Sequence, residues 1–491
     1  MTQVQMASSS DSSPSITPAA LQPKIRGYTD RQSVAHGESI RFVISDLHGS
    51  DSKSLPIRMI RLGQHETEVA CGVALVHAAP VPADRAWENN CWPLSYTAHV
   101  PSEWRSGVYV ARIGMETGDC PDIYFVVRCS RQKPVLPIVV QLPTTTINAY
   151  NNWGGVSLYE YNSRPAPAIA VSFNRPQQSD ALWPRGYGFA EEWNLRIRAF
   201  VEWLEAMGYE ANYVTNNDLH EDSHLLDSCR LFISIGHDEY WSLEMRNQFD
   251  RFVESGGNAA IFGGNTCYWR IRLEPDEKTG ESHRFQFCCR GVHEQPNPNV
   301  INLATSTSET QDGIGHRSGC GMCGSGPSTI TWRDAGLPEN TSIGAGFALG
   351  AWRGVDRDPG SFTIFKPDHW VFSGTGLRRG DCFGDATDEK ILFYETGGVD
   401  YLLDRNGNPV PTGLDGTPNT YEILALADLS SWATPGNAAM GILTHSESGG
   451  TVFNAATTDW ARGLEICVSS GDFLRTITAK ITRNVIDRLS K

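Results

Sequence analysis

Apolar positions along this chain follow two rules, and the change from one to the other divides it. Between residues 24 and 131 they alternate with polar residues or come in short runs. Ile40, Phe42 and Ile44 alternate with Arg41, Val43 and Ser45, the period of a strand with one buried face. Further strands are predicted over 56–62, 96–100, 108–113 and 123–127. Turn formers such as Pro101-Ser102-Glu103 and Ser106-Gly107 separate them. Short strands without a helical stripe predict a β-sandwich domain over 24–131.

Past a boundary near residues 132–137 the pattern becomes mixed, and residues 132–491 read as one α/β domain. Mostly apolar runs at 138–142, 231–235 and 259–262 suit strands covered on both faces. Trp193, Ile197, Phe200, Val201 and Leu204 form a helical stripe that ends at Gly208. Met245, Phe249, Phe252 and Val253 form another, with Ser242 as N-cap, Glu244 in the first turn and Gly256-Gly257 closing it. Strands are predicted at 212–215, 423–426, 438–443 and 451–454, and a last amphipathic helix over 474–489. Strands alternating with helices in this order predict a mostly parallel sheet with flanking helices. Residues 274–330 are polar and rich in Gly and Ser, and read as an insertion. Its Cys320-x-x-Cys323 has the spacing of half a zinc site, but Cys288-Cys289 are adjacent and lack it, so free thiols are expected.

Composition narrows the class. The chain has 491 residues, 40% of them hydrophobic and 20% charged, as in ordinary globular proteins. A net charge of −15 argues against a nucleic-acid partner, which needs a basic footprint. No apolar stretch is long enough for a membrane helix, so no membrane partner is expected. Residues 1–23, rich in Ser, Thr, Pro and Gln, read as a disordered tail and not as a secretory signal. With 12 cysteines and no such signal, a reducing, cytoplasmic location is expected.

The chemistry concentrates where predicted strands end. Gly236-His237-Asp238-Glu239-Tyr240-Trp241 follows one strand and precedes a helix. In an extended chain His237 and Glu239 face the same way. Tyr150 and Tyr159 flank a Gly-Gly turn after an earlier strand, and Gly263-Gly264-Asn265 ends a later one. On a parallel sheet these loops share the carboxyl edge, where ligands bind. Tyr150, Tyr159, His237, Glu239 and Asn265 are therefore expected to converge. Glu395, in Phe393-Tyr394-Glu395-Thr396, is a further candidate pocket acid. Cys267 is the nearest candidate for a thiol nucleophile.

Ala149-Tyr150-Asn151, Ser157-Leu158-Tyr159, His237-x-Glu239-Tyr240-Trp241 and Gly263-Gly264-Asn265 with Tyr268-Trp269 resemble, in order and spacing, the N,N-dimethylformamidase large (beta) subunit family in its C-terminal catalytic domain. Residues 368–376 and 452–460 look like further family segments, and the similarity spans roughly 138–490. The resemblance implies a class I glutamine-amidotransferase-like fold and a mononuclear iron(III) held by Tyr150, Tyr159 and Glu239. His237 would act beside the metal. Asn265 would position substrate or water, or bond the developing oxyanion. Phenolate and carboxylate are hard anionic donors suited to a hard trivalent cation. The implied activity is hydrolysis of the C–N bond of linear amides such as N-substituted formamides. The expected partner is a small-molecule amide, and the sequence allows a homo-oligomer. The family's large subunit is longer and works with a small subunit, and the insertion lies outside its motifs. The metal site therefore carries over more directly than the substrate. The alternative is a carbohydrate-binding or carbohydrate-processing protein of the same fold without iron.

Overall fold

The structure, a computed structural model, describes residues 24–114, 120–130, 136–177, 187–276, 279–290, 329–385 and 389–491. The predicted tail at 1–23 and the Cys320–Cys323 pair lie outside these ranges.

A nine-stranded sheet forms the centre. Its order is Asn212–Thr215, Ile138–Leu142, Leu231–Ile235, Asn258–Phe262, Thr451–Asn454, Asn437–Thr444, Tyr421–Asp428, Phe362–Ile364 and Cys382–Phe383. The first five of these run parallel to one another. Every later pairing is antiparallel. The predicted mostly parallel α/β fold, and the amidotransferase-like architecture with it, is therefore corrected. The sheet is mixed, antiparallel ladders predominate among the described residues, and strand outweighs helix. Connection length explains the change. Residues 429–436 and 445–450 join consecutive strands of the sheet and are too short for the crossover a parallel pair needs.

The parallel strands are covered on both faces, as their apolar runs require. Ile138, Val140 and Leu142 share a core with Phe200, Leu204, Leu464, Ile481 and Val485. Val139, Phe232 and Ile261 share another with Met245, Phe249 and Val253. These contacts bring helices Arg198–Ala206, Ala461–Ser470 and Ile477–Leu489 to one side and Leu243–Glu254 to the other.

The first eight strands, predicted as a β-sandwich, form one continuous sheet. Thr67–Ala78 pairs along its length with Lys53–Leu62 and, at its far end, with Ser39–Asp46. The sheet folds back on itself. Ile40, Phe42 and Ile44 pack with Ile57, Met59, Ala111 and Phe125, and the Phe42 and Phe125 rings meet edge to face at 5.5 Å. Ile60, Leu62, Val108 and Val126 join the helical core beside the central sheet. No helix among the described residues is long and apolar enough to cross a membrane.

Candidate active site

The carboxyl ends of three adjacent parallel strands supply most of the site. Leu231–Ile235 ends at Gly236, whose φ of +73° suits glycine. A Cβ there would come within 2.6 Å of Glu192 Oε1. His237, Asp238 and Glu239 run on from it to Tyr240–Ser242, which pairs in parallel with Trp269–Glu274. Asp238 anchors the stretch, accepting hydrogen bonds from Gln141 (2.7 Å), Asn216 (2.9 Å) and Ser234 (2.8 Å). His237 and Glu239 meet each other, with Nε2 3.4 Å from Oε2. The Glu239 amide donates to Thr146 Oγ1 at 2.9 Å. Ser242 caps the following helix by accepting from the Met245 amide at 3.2 Å.

Tyr150 is the last residue of the short helix Thr144–Tyr150 rather than part of a loop. The chain then turns back to Tyr159. There the Ser157 hydroxyl accepts the Tyr159 amide at 2.9 Å, and the Ser163 hydroxyl donates to the Tyr159 carbonyl at 2.6 Å. The two tyrosine rings stack with centroids 4.0 Å apart. Both hydroxyls donate to Glu239 Oε2, Tyr150 at 3.1 Å and Tyr159 at 3.0 Å. Tyr240 donates to the Tyr159 oxygen at 2.7 Å.

Asn258–Phe262 leads through Gly263 and Gly264 to Asn265. A Cβ on Gly264 would lie 2.6 Å from the Glu395 carbonyl and 2.8 Å from the Thr458 amide. That close approach fixes Glu395 against Asn265, whose Nδ2 donates to Glu395 Oε2 at 3.0 Å. The same oxygen lies 2.9 Å from His237 Nε2, though off the hydrogen-bonding direction of the ring nitrogen. All five residues expected to converge do so, and Glu395 completes the cluster. None of the six is more than 8% exposed.

Five neighbours were not singled out from the sequence. Glu192 accepts the His237 amide at 2.9 Å through one oxygen. Its other oxygen accepts Arg196 at 2.8 Å and the Tyr187 hydroxyl. Arg196 lies over the Tyr394 ring, 5.0 Å from its centroid. The i,i+4 spacing of Glu192 and Arg196 was a usable signal; Tyr187 and Tyr394 lie outside any periodic pattern. Arg290, just past Cys289, places its guanidinium 3.5 Å from the Tyr159 ring centroid. Cys289 is disulfide-bonded, which corrects the expectation of free thiols there, although its neighbour Cys288 is a free thiol.

Burial is the largest influence on every ionisable group here. It holds the phenols of Tyr150 and Tyr159 well above their ordinary pKa, and the charge of Glu239 adds to it; Arg290 opposes it at Tyr159. Burial also raises Glu239. Burial works against a charged His237, but Glu395 and Glu239 outweigh it and the imidazole is raised. Burial works against an ionised Glu395, but His237 and Asn265 outweigh it and the carboxyl is lowered. The cluster therefore favours a charged His237 beside an ionised Glu395, while Glu239 accepts two phenolic hydrogen bonds.

Among the described residues no group of three or more His, Cys, Asp and Glu has the arrangement of a metal site. The tyrosines supply what such a cluster lacks. Two phenol oxygens sit within 3.1 Å of one carboxylate oxygen, and loss of their protons would gather three hard anionic donors, a set that fits a trivalent cation. Cys267 has a left-handed φ of +57° but is no nucleophile. It is 1% exposed, Arg246 Nη1 stands 3.9 Å from its sulfur, and burial pushes its thiol above the ordinary pKa.

A family model described as N,N-dimethylformamidase beta subunit-like, C-terminal, matches residues 61–473, which contain the whole site. The N,N-dimethylformamidase beta subunit of Alcaligenes sp is 20% identical over 456 residues, covering 82% of this chain and 54% of that protein. The chain thus spans about half the length of this curated relative. Among solved structures, the Pseudomonas fluorescens alkylpurine DNA glycosylase AlkC, bound to DNA containing an abasic site analog, matches 21% of this chain and 30% of its own at 9% identity and a TM-score of 0.13. The Paenibacillus sp. cycloisomaltooligosaccharide glucanotransferase, complexed with cycloisomaltoheptaose, matches 55% of this chain and 34% of its own at 10% identity and a TM-score of 0.16. Neither score bears on fold or function.

Proposed function

This chain belongs to the N,N-dimethylformamidase beta subunit-like, C-terminal family, and from that premise we propose that it hydrolyses the C–N bond of small linear amides at the cluster just described, with one iron(III) held by Tyr150, Tyr159 and Glu239. The observation that carries the reading is the meeting of the Tyr150 and Tyr159 hydroxyls on Glu239 Oε2, at 3.1 and 3.0 Å. When bound, the ion supplies a Lewis acid that polarises a carbonyl and acidifies water.

The protein's own residues supply the proton transfers. An amide nitrogen leaves only when protonated, and His237 is the group placed to protonate it. Its ring is kept charged by Glu395 and Glu239, and its main chain is held by Glu192. After the leaving amine takes that proton, the neutral ring can accept one from water and reset. Glu395 fixes the ring and the Asn265 side chain from a single oxygen. Asn265 gives one N–H of its amide to Glu395 and keeps the other for substrate, water or the developing oxyanion. Burial of the whole cluster excludes bulk water and strengthens each charge interaction within it.

The test is turnover. Iron-loaded protein should release amine and acid from small formamides, and iron-stripped protein should not; equal rates from both would overturn the reading.

A further inference from the structure

One cation beside the cluster has no part in the proton transfers. The guanidinium of Arg290 lies over the face of Tyr159, with Cζ 3.5 Å from that ring centroid and 5.0 Å from the centroid of Trp269. Tyr150 stacks on Tyr159 with centroids 4.0 Å apart, so the Tyr159 ring is held between a second phenol and a cation. Arg290 Nη1 donates to the carbonyl of Leu158, the residue before Tyr159, at 3.2 Å. Its Nε is buried without a hydrogen-bond partner, and no carboxylate among the described residues forms an ion pair with it. Taking a guanidinium out of water in this way is costly unless nearby negative charge offsets it. The backbone holds the side chain in place. Arg290 has a φ of +36°, a conformation that side chains rarely adopt. The residue before it is pinned twice, by a disulfide at Cys289 and by the Cys289 amide, which donates to Thr329 Oγ1 at 2.9 Å. A strained backbone kept by its surroundings points to a side chain with a task.

We infer that Arg290 is a positioning residue for the iron site: it clamps the Tyr159 ring for ligation and sets its charge against the phenolate that ligation creates. This assignment rests on the iron reading above and adds a residue outside its donor set. Charge separates it from plain packing. A cation over a neutral phenol gains only from the quadrupole of the ring. Over a phenolate it faces a full opposite charge, in a buried site where that attraction is weakly screened. Arg290 is therefore engaged more strongly in the iron-loaded protein than in the metal-free one, and its bond to the Leu158 carbonyl keeps ring and cation in register.

The experiment reads the phenolate-to-iron absorption band of iron-loaded wild type, Arg290→Gln, Arg290→Met and Arg290→Lys. Excitation of that band moves an electron from the ring toward the metal. The cation stands over the ring itself, whereas the ligating atom is the oxygen at its edge, so Arg290 opposes that movement and raises the energy of the band. Arg290→Gln should shift the band to longer wavelength by about 10–30 nm. Arg290→Lys keeps a charge and should restore most of that shift. Arg290→Met supplies the neutral variant if Arg290→Gln does not fold. A coloured wild type whose band neither neutral variant moves would overturn the inference while leaving the iron reading standing. So would equal shifts in Arg290→Lys and the neutral variants, the signature of a side chain that only packs. A wild type that stays colourless at saturating iron would remove the iron reading and the inference together.

Discussion

Tyr159 donates a hydrogen bond from its hydroxyl to Glu239, a residue eighty positions later in the chain, across 3.0 Å. Tyr150 donates to the same oxygen at 3.1 Å. A carboxylate oxygen can accept two hydrogen bonds, so the two phenols satisfy Glu239 in the metal-free protein. Under the iron reading proposed above, their protons would be exchanged for the cation.

That exchange has a pH signature. Because both phenols are protonated in the metal-free protein, iron uptake must expel their protons. Affinity for iron(III) should climb as pH rises from about 6 to about 8, with about two protons released per ion bound. A competition titration with a chelator of known affinity, run beside a proton-release measurement, checks both. An affinity that does not vary with pH would contradict phenolate ligation.

The metal-free protein should lose stability in alkali. Tyr150, Tyr159, Tyr187, Tyr240 and Tyr394 are all held above the ordinary value of 10.0, chiefly by burial. Groups whose pKa is higher in the folded than in the unfolded chain contribute stability that is complete below the unfolded value. That contribution is lost as pH rises toward the folded value. The urea midpoint should therefore be steady up to about pH 10 and fall steeply above it. A midpoint that keeps its neutral value well into that range would mean that these phenols ionise freely.

His237→Ala should keep iron and lose amide hydrolysis by about a hundredfold or more, the usual weight of a general acid–base. Glu395→Gln should act in the same direction, since it removes the charge that keeps the ring protonated. Iron content by elemental analysis, read beside kcat, separates this from collapse of the site. Full turnover by His237→Ala would exclude it as the proton donor.

Arg196→Met should destabilise the fold without touching any donor to the metal. It would leave Glu192, 1% exposed, buried without its main charge partner. Breaking a buried pair from one side costs about 3–5 kcal/mol, measurable by urea unfolding. A loss below about 1 kcal/mol would show that water reaches Glu192.

Gly264→Ala tests the backbone that sets the cluster. Its Cβ would meet main-chain atoms of Glu395 and Thr458, which cannot swing aside as a side chain could. The loops should part, so that kcat falls while iron stays bound. Unchanged kcat would show that the contact between Asn265 and Glu395 is not needed.

The sequence made the site more legible than the fold. The residues that follow Ile138–Leu142, Leu231–Ile235 and Asn258–Phe262 were readable because buried parallel strands leave mostly apolar runs, and glycine marks where the last two stop. Strand direction in the last third was not readable, because Tyr421–Asp428 and Asn437–Thr444 carry the same apolar content whichever way they run. Only their short connections make them antiparallel. The long strand Thr67–Ala78 was missed, since Cys71-Gly72 interrupts its alternation. Gly72 is there because a Cβ would strike the Tyr96 hydroxyl at 2.6 Å, a constraint visible only after folding. Arg290 stands over Tyr159 from the far side of the chain and left no local trace.

The most direct measurement is the visible absorption of the purified protein as iron(III) is added. Ligation through Tyr150 and Tyr159 predicts a phenolate-to-iron charge-transfer band that saturates at one ion per chain and shifts or bleaches in Tyr159→Phe. A protein that stays colourless at saturating iron, or a band that Tyr159→Phe leaves unchanged, would contradict it.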